Sequence, residues 1–158
     1  MTKYGVIFAA VLVTTAACSA QTPENGETAM QTVEITLTAY EVALNASDVD
    51  TIVALYADDG VFMPQHFPAA VGRDNIRAAY GNVFNTISLN IEFEIDEVEQ
   101  LSDNWAIART RSAGEVIVHA TGESGPEANQ ELFLLRRDDD AGWQIARYIF
   151  TTLNPPQP

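Results

Sequence analysis

The chain is poor in the residues from which a reaction is usually read. Its 158 residues include one cysteine, Cys18, one lysine, Lys3, and two histidines, His66 and His119. A lone cysteine excludes an intrachain disulfide and a cysteine-rich metal site. The histidines show no HxxxH or HxH spacing, so no metal is expected. Neither GxSxG, a P-loop nor GxGxxG occurs, which removes the common nucleophile and nucleotide signatures, and no cofactor is expected. Positive charge is scarce: eight basic residues against 22 acidic ones give a formal charge of −14. Such a surface repels phosphate backbones, so a nucleic-acid partner is excluded. The acids are spread along the chain without the DxDxDG spacing of a calcium loop, and they read as a solubilising coat.

No long apolar run is present either. The longest, VIFAAVLV over residues 6–13, is far short of the ~20 residues that span a bilayer. Preceded by Lys3 and followed by the small residues TTAACSA, it predicts an export signal over residues 1–20. Two cleavage readings stand. Thr15-Ala16-Ala17-Cys18 resembles a bacterial lipobox, with Cys18 lipidated on the periplasmic side of the cell envelope. The alternative is ordinary cleavage after Ala20, which leaves a secreted or periplasmic soluble protein. Membrane association is thus expected only through an N-terminal lipid anchor. Residues 21–29 read as a polar tether, and residues 30–155 as one globular domain, in keeping with 47% hydrophobic content.

Within that domain, Val33, Leu37, Tyr40, Val42 and Leu44 follow a loose helical spacing to about Ala46. Ser47 is the expected cap of a second short helix carrying Ile52, Val53, Leu55 and Tyr56. An Asp58-Asp59-Gly60 turn should launch a short strand, Val61 to Met63, which Pro64 stops. From Asp74, Ile76, Ala79, Tyr80, Val83 and Phe84 form one apolar helical face. The period then changes to two at Leu89, Ile91, Phe93 and Ile95, and slips near Glu97 and Val98, predicting a bulge. Three further strands follow, from Trp105, Asn129 and Trp143. The expected fold class is α+β, with three N-terminal helices packed on a strongly bent, mainly antiparallel sheet.

Certain residues carry a resemblance over about Thr32 to Pro155: Tyr40, Ala43-Leu44-Asn45-Ala46 with Asp48, Leu55-Tyr56-Ala57-Asp58-Asp59, Val71-Gly72-Arg73, and Gly142-Trp143-Gln144-Ile145-Ala146-Arg147-Tyr148. Their order resembles the nuclear transport factor 2-like superfamily, which includes SnoaL-like proteins and ketosteroid isomerase. The resemblance implies a cone-shaped pocket between helices and sheet. Tyr40 falls where the steroid isomerases place an oxyanion-hole tyrosine, but Pro64 occupies the position of their aspartate base. Proline cannot accept a proton, so ketosteroid isomerase activity is not expected. The fold hosts many functions, so residues must argue the rest.

Residues expected around the pocket are Tyr40, Tyr56, Met63, Tyr80 and Phe84 from the first half, and Trp105, Arg109, Asn129, Glu131 and Arg147 from the strands. Strand parity puts Trp105, Ile107, Arg109 and Arg111 on one face and Ala106, Ala108, Thr110 and Ser112 on the other. Arginines sharing a face with tryptophan should be partly buried and need a partner, for which Glu131 is the expected one. Two readings follow: a polar cluster holding a ligand's carboxylate or carbonyl, or a structural ion-pair network across the sheet. Tyr40, Arg109 and the loop residue His66 are the catalytic candidates, with Tyr40 and Arg109 as oxyanion donors. The functional expectation is a small-molecule binder, with cofactor-free isomerase- or dehydratase-like chemistry if it turns over. The alternative is a non-catalytic association domain; a homodimer through the open sheet face is expected.

Overall fold

The computed structural model describes residues 24–155, with side chains from Ala29 onward. The expected signal, Cys18 and most of the tether lie outside the described residues. Helix α1 spans Glu24–Asn45, α2 Val49–Leu55 and α3 Arg73–Thr86. The strands are β1 Tyr56–Met63, β2 Ala70–Val71, β3 Ile87–Ser102, β4 Trp105–Val118, β5 Ser124–Asp138 and β6 Gly142–Thr152. They form a six-stranded sheet in the order β2-β1-β6-β5-β4-β3, antiparallel except for the β1–β6 pair. None of the described helices is long and apolar enough to cross a membrane.

The helices lie on one sheet face because their apolar stripes are there. Val33, Leu37 and Tyr40 of α1 and Ile76 and Tyr80 of α3 are almost fully buried against Phe133, Leu135 and Ile145. Leaving α1, the chain departs from expectation. Ser47 adopts a positive φ of 54°, and Asp48 caps α2, accepting from the Thr51 amide at 3.0 Å. A carboxylate at this position also suits the helix dipole. Tyr56 opens β1 instead of ending α2, and Asp58-Asp59-Gly60 forms an irregularity inside that strand. A Cβ on Gly60 would lie 2.8 Å from the Ala57 carbonyl oxygen, so this bend accepts only glycine. Strand β2 was not anticipated, and β5 begins earlier than Asn129.

The sheet bends where its register slips. In the β3–β4 pair the slip falls between Ile95 and Glu97, as the broken alternation predicts. Further along, Gly114 crosses so close to β3 that a Cβ would meet the Asn90 carbonyl oxygen at 2.1 Å. A second slip, in the β5–β6 pair, leaves Ala146 unpaired between Ile145 and Arg147. It reverses the parity of β6, so Trp143 and Ile145 face the helices before it, and Tyr148 and Phe150 after it.

Candidate functional site: a cone with an acidic floor

The cone is a consequence of side-chain size on β4. Its inward residues Ala106, Ala108, Thr110 and Ser112 are small and buried, which lets the larger residues of β5, β6 and the helices converge above them. A partly open cavity of about 180 Å³ remains. One wall is apolar, from Leu44, Phe62, Val83, Ile87, Leu89 and Ile91, and Tyr40, Tyr80, Tyr148 and Phe150 add aromatic rings. The other is polar, and register builds it: Thr110, Glu131 and Phe150 align in one inward row, Ser112, Asn129 and Thr152 in the next. Glu127, Asn129 and Glu131 line the cavity, and no basic residue does. At the mouth, a second depression of about 480 Å³ lies between Phe67 and Pro68 of the connecting loop and Ala79, Asn82 and Val83 of α3.

Glu131 is 4% exposed and has no cationic partner. Thr110 donates its hydroxyl proton to Oε2 and Ser112 donates to Oε1. Burial pushes its carboxyl above the ordinary range, partly offset by those hydroxyls and reinforced by the nearby Glu127 charge. Opposite it, Tyr40 and Tyr80 share a hydrogen bond, and the Tyr80 and Tyr56 hydroxyls stand 3.1 Å apart. Burial holds all three phenols well above their ordinary value, so they act as neutral hydroxyls.

The profile of the SnoaL-like domain matches residues 37–148. The chain belongs to the SnoaL-like family. This domain is also similar in structure to a ketosteroid isomerase-like protein from Erwinia carotovora atroseptica, with 40% identity, a TM-score of 0.77, and coverage of 80% of this chain and 97% of that one. A nuclear transport factor 2-like superfamily protein from Salmonella enterica has 14% identity, a TM-score of 0.73, and coverage of 84% and 96%. A hexachlorocyclohexane dehydrochlorinase has 11% identity, a TM-score of 0.70, and coverage of 84% and 94%. At such identities the last two speak for the fold alone. No curated protein matches the sequence.

In this SnoaL-like domain, Tyr40, Tyr80, Asn129 and Glu131 meet at the cavity, and Tyr56 stands behind Tyr80. Phe84 packs on the Tyr80 ring at 5.9 Å, and Met63 is half-buried next to Phe62; neither lines the cavity. The expected Arg109–Glu131–Arg147 cluster does not form. Arg109 lies on the outer face, donating to Asp96 at 2.8 Å and Glu97 at 3.2 Å. Arg147, displaced by the Ala146 bulge, donates to the carbonyls of Asp59 at 3.2 Å and Ala146 at 2.6 Å. Trp105 also stands outside the cavity, with the Arg136 guanidinium 5.8 Å from its ring centre. The parity was sound, but its assignment was inverted: the row of small residues faces the core, and the guanidiniums stay in water. His66 is exposed at a positive φ of 68°, accepting from Gln65 Nε2 at 2.7 Å. Gln65 and Glu127 line the cavity and were missed as site residues, and Tyr148 lines it too. Among the described residues no group of three or more His, Cys, Asp or Glu side chains is arranged to hold a metal.

Proposed function

We propose that this SnoaL-like domain binds a small, mainly apolar ligand in its cone and moves a proton on it without a cofactor, in isomerase- or dehydratase-like chemistry. The observation that carries this reading is Glu131, a carboxyl buried at a ligand-sized cavity with only hydroxyls for partners. A carboxyl raised by burial takes a proton from a ligand more readily than an ordinary carboxylate and can return it. The Tyr40 and Tyr80 hydroxyls at the cavity are the groups available to a ligand oxygen across from Glu131. Pro64 lines the cavity but has no proton-accepting group, so the proposal excludes ketosteroid isomerisation through that position. The 40% identical structure, a ketosteroid isomerase-like protein, supports proton-transfer chemistry here.

A second reading, a dimerising association domain, is favoured by the open sheet face, where Arg109, Leu132 and Ile149 form one outward row. Leu132 and Ile149 there are 42% and 45% exposed. Export with a lipidated Cys18 completes the proposal.

Native mass spectrometry of protein purified from its own envelope tests these claims together. Expected are a dimer, a lipid mass on Cys18 and a co-purified small molecule. A mature chain starting unmodified at Gln21 overturns the anchor. The retained molecule, incubated with protein in deuterium oxide, should gain deuterium, and Glu131→Gln should slow that exchange by about 10²–10⁴-fold. Equal exchange by the variant overturns Glu131 as the proton carrier.

A further inference from the structure

The polar wall of the cone has used its own donors. The Thr110 and Ser112 hydroxyls both donate to Glu131, and Asn129 Nδ2 donates to Glu127 Oε1 at 2.8 Å. Gln65 Oε1 accepts from the Thr152 amide, and its Nε2 donates to His66. What remains unused is acceptor capacity. Asn129 is 7% exposed, and its Oδ1 receives no hydrogen bond from the protein. Its orientation is fixed, because turning the amide over would set Oδ1 against the Glu127 carboxylate. A buried acceptor without a donor is costly, and a ligand that brings the donor recovers that cost.

Charge points the same way. Glu127 and Glu131 are the ionisable carboxyls on this wall, and no lysine, arginine or histidine lines the cavity to balance them. The arginines expected here, Arg109 and Arg147, are committed elsewhere. The cavity volume of about 180 Å³ is close to that of a cavity of about 150 Å³ known to hold benzene, so one ring with a short polar arm fits.

From this we infer that the cone selects ligands whose polar end is a hydrogen-bond donor, a hydroxyl or an ammonium, held by Asn129 Oδ1 and the Glu127–Glu131 pair, and that it rejects carboxylates. The inference rests on the ligand-binding reading above and assigns its substrate class. It reverses the sequence expectation, in which arginines were to hold a carboxylate or carbonyl.

Three probes of one size and different polar ends test it: benzylamine, benzyl alcohol and benzoate, titrated into the domain at neutral pH and followed by calorimetry or ligand-observed NMR. Benzylamine and benzyl alcohol should bind, and benzoate at least about tenfold more weakly than benzylamine, since like charges at close range cost that much or more. Asn129→Leu should weaken benzyl alcohol about fivefold. Glu127→Gln, at a half-buried position, should narrow the gap between benzylamine and benzoate while leaving the alcohol nearly unchanged; it serves if the Asn129 variant fails to fold. Benzoate binding as tightly as benzylamine overturns the ligand class and leaves the cavity reading standing. Failure of all three probes to bind overturns the ligand-binding reading itself, and the class with it.

Discussion

Glu131 has opposite effects on chemistry and stability. Its carboxyl is raised chiefly by burial, so the folded state keeps its proton to higher pH than the unfolded chain does. Well below the unfolded value, near pH 4, both states are protonated and nothing is lost. As pH rises through the folded value, the unfolded state has already released its proton and stability declines. At neutral pH, therefore, Glu131 destabilises the fold. Glu131→Gln, which keeps an acceptor and a donor for Thr110 and Ser112, should raise the melting temperature at pH 7 by on the order of 2–6 °C. That gain should shrink to nothing by about pH 3. Asp59 and Asp96 titrate in the opposite sense, held low chiefly by hydrogen bonds from Arg136 and Arg111, but they cancel when the two proteins are compared. A thermal-melt difference that does not change with pH would show that burial of the charge is not the cause. Alternation along β5 puts Glu131 on one face with Asn129, Phe133 and Leu135, and all four are buried. The arginines were misplaced because alternation shows which residues share a face and is silent on which face is buried.

At the scale of elements, most of the fold was legible because periodicity is a direct print of burial. The α3 stripe and the β3 alternation both fall where expected, and so does the slip near Glu97. The bulge at Ala146 was not legible, since a single extra residue in an apolar strand leaves no mark in its pattern. Nor was the use of α1 as a cover for the sheet edge. Strand β3 is the last in the sheet, and its outer backbone groups would be open to pairing with another chain. Asn45 closes part of that edge as a strand would, donating to the Ile91 carbonyl at 2.7 Å and accepting from the Ile91 amide at 2.9 Å. Glu41 accepts from the Phe93 amide at 2.8 Å. This gives a physical reason for an asparagine at the end of α1, where the resemblance offered only a match. Asn45→Ala leaves the Ile91 donor and acceptor unpaired and should cost about 1–3 kcal/mol in urea unfolding with an unchanged m-value. Hydrogen exchange should quicken at the Ile91 amide, whereas Asn90→Ala, on an exposed position of the same strand, should stay within about 0.5 kcal/mol of the parent. No local change in exchange would mean that packing of α1, and not this hydrogen-bond pair, protects the edge.

For the whole molecule, the question is whether its charges hold it together or push it apart. The outer face carries a compact network in which Asp96 meets Arg109 at 2.8 Å and Arg111 at 2.9 Å, and Glu94 meets Arg111 at 2.9 Å. Both arginines are about half exposed, at 52% and 49%, and pairs of that kind contribute about 0–1 kcal/mol each. Against them stands a formal charge of −14, with 22 acids to eight bases, and among the described residues only six carboxylates meet an arginine in an ion pair. Salt screens both effects. It weakens the few attractive contacts over short range, and it removes the long-range repulsion of the many once the Debye length falls from ~30 Å at 0.01 M to about 8 Å at 0.15 M. The repulsive pairs far outnumber the attractive ones and act through solvent over distances where screening is strongest. Self-repulsion should therefore win. The melting temperature should rise by a few degrees between low and physiological salt. Arg109→Ala should keep that slope, since it removes contacts already near the lower limit of what a surface pair contributes. A melting temperature that falls with added salt would reverse the ranking and make the Asp96 network the dominant electrostatic term. It would also identify the outer face, and not the acidic coat, as what sets the protein's tolerance of its surroundings.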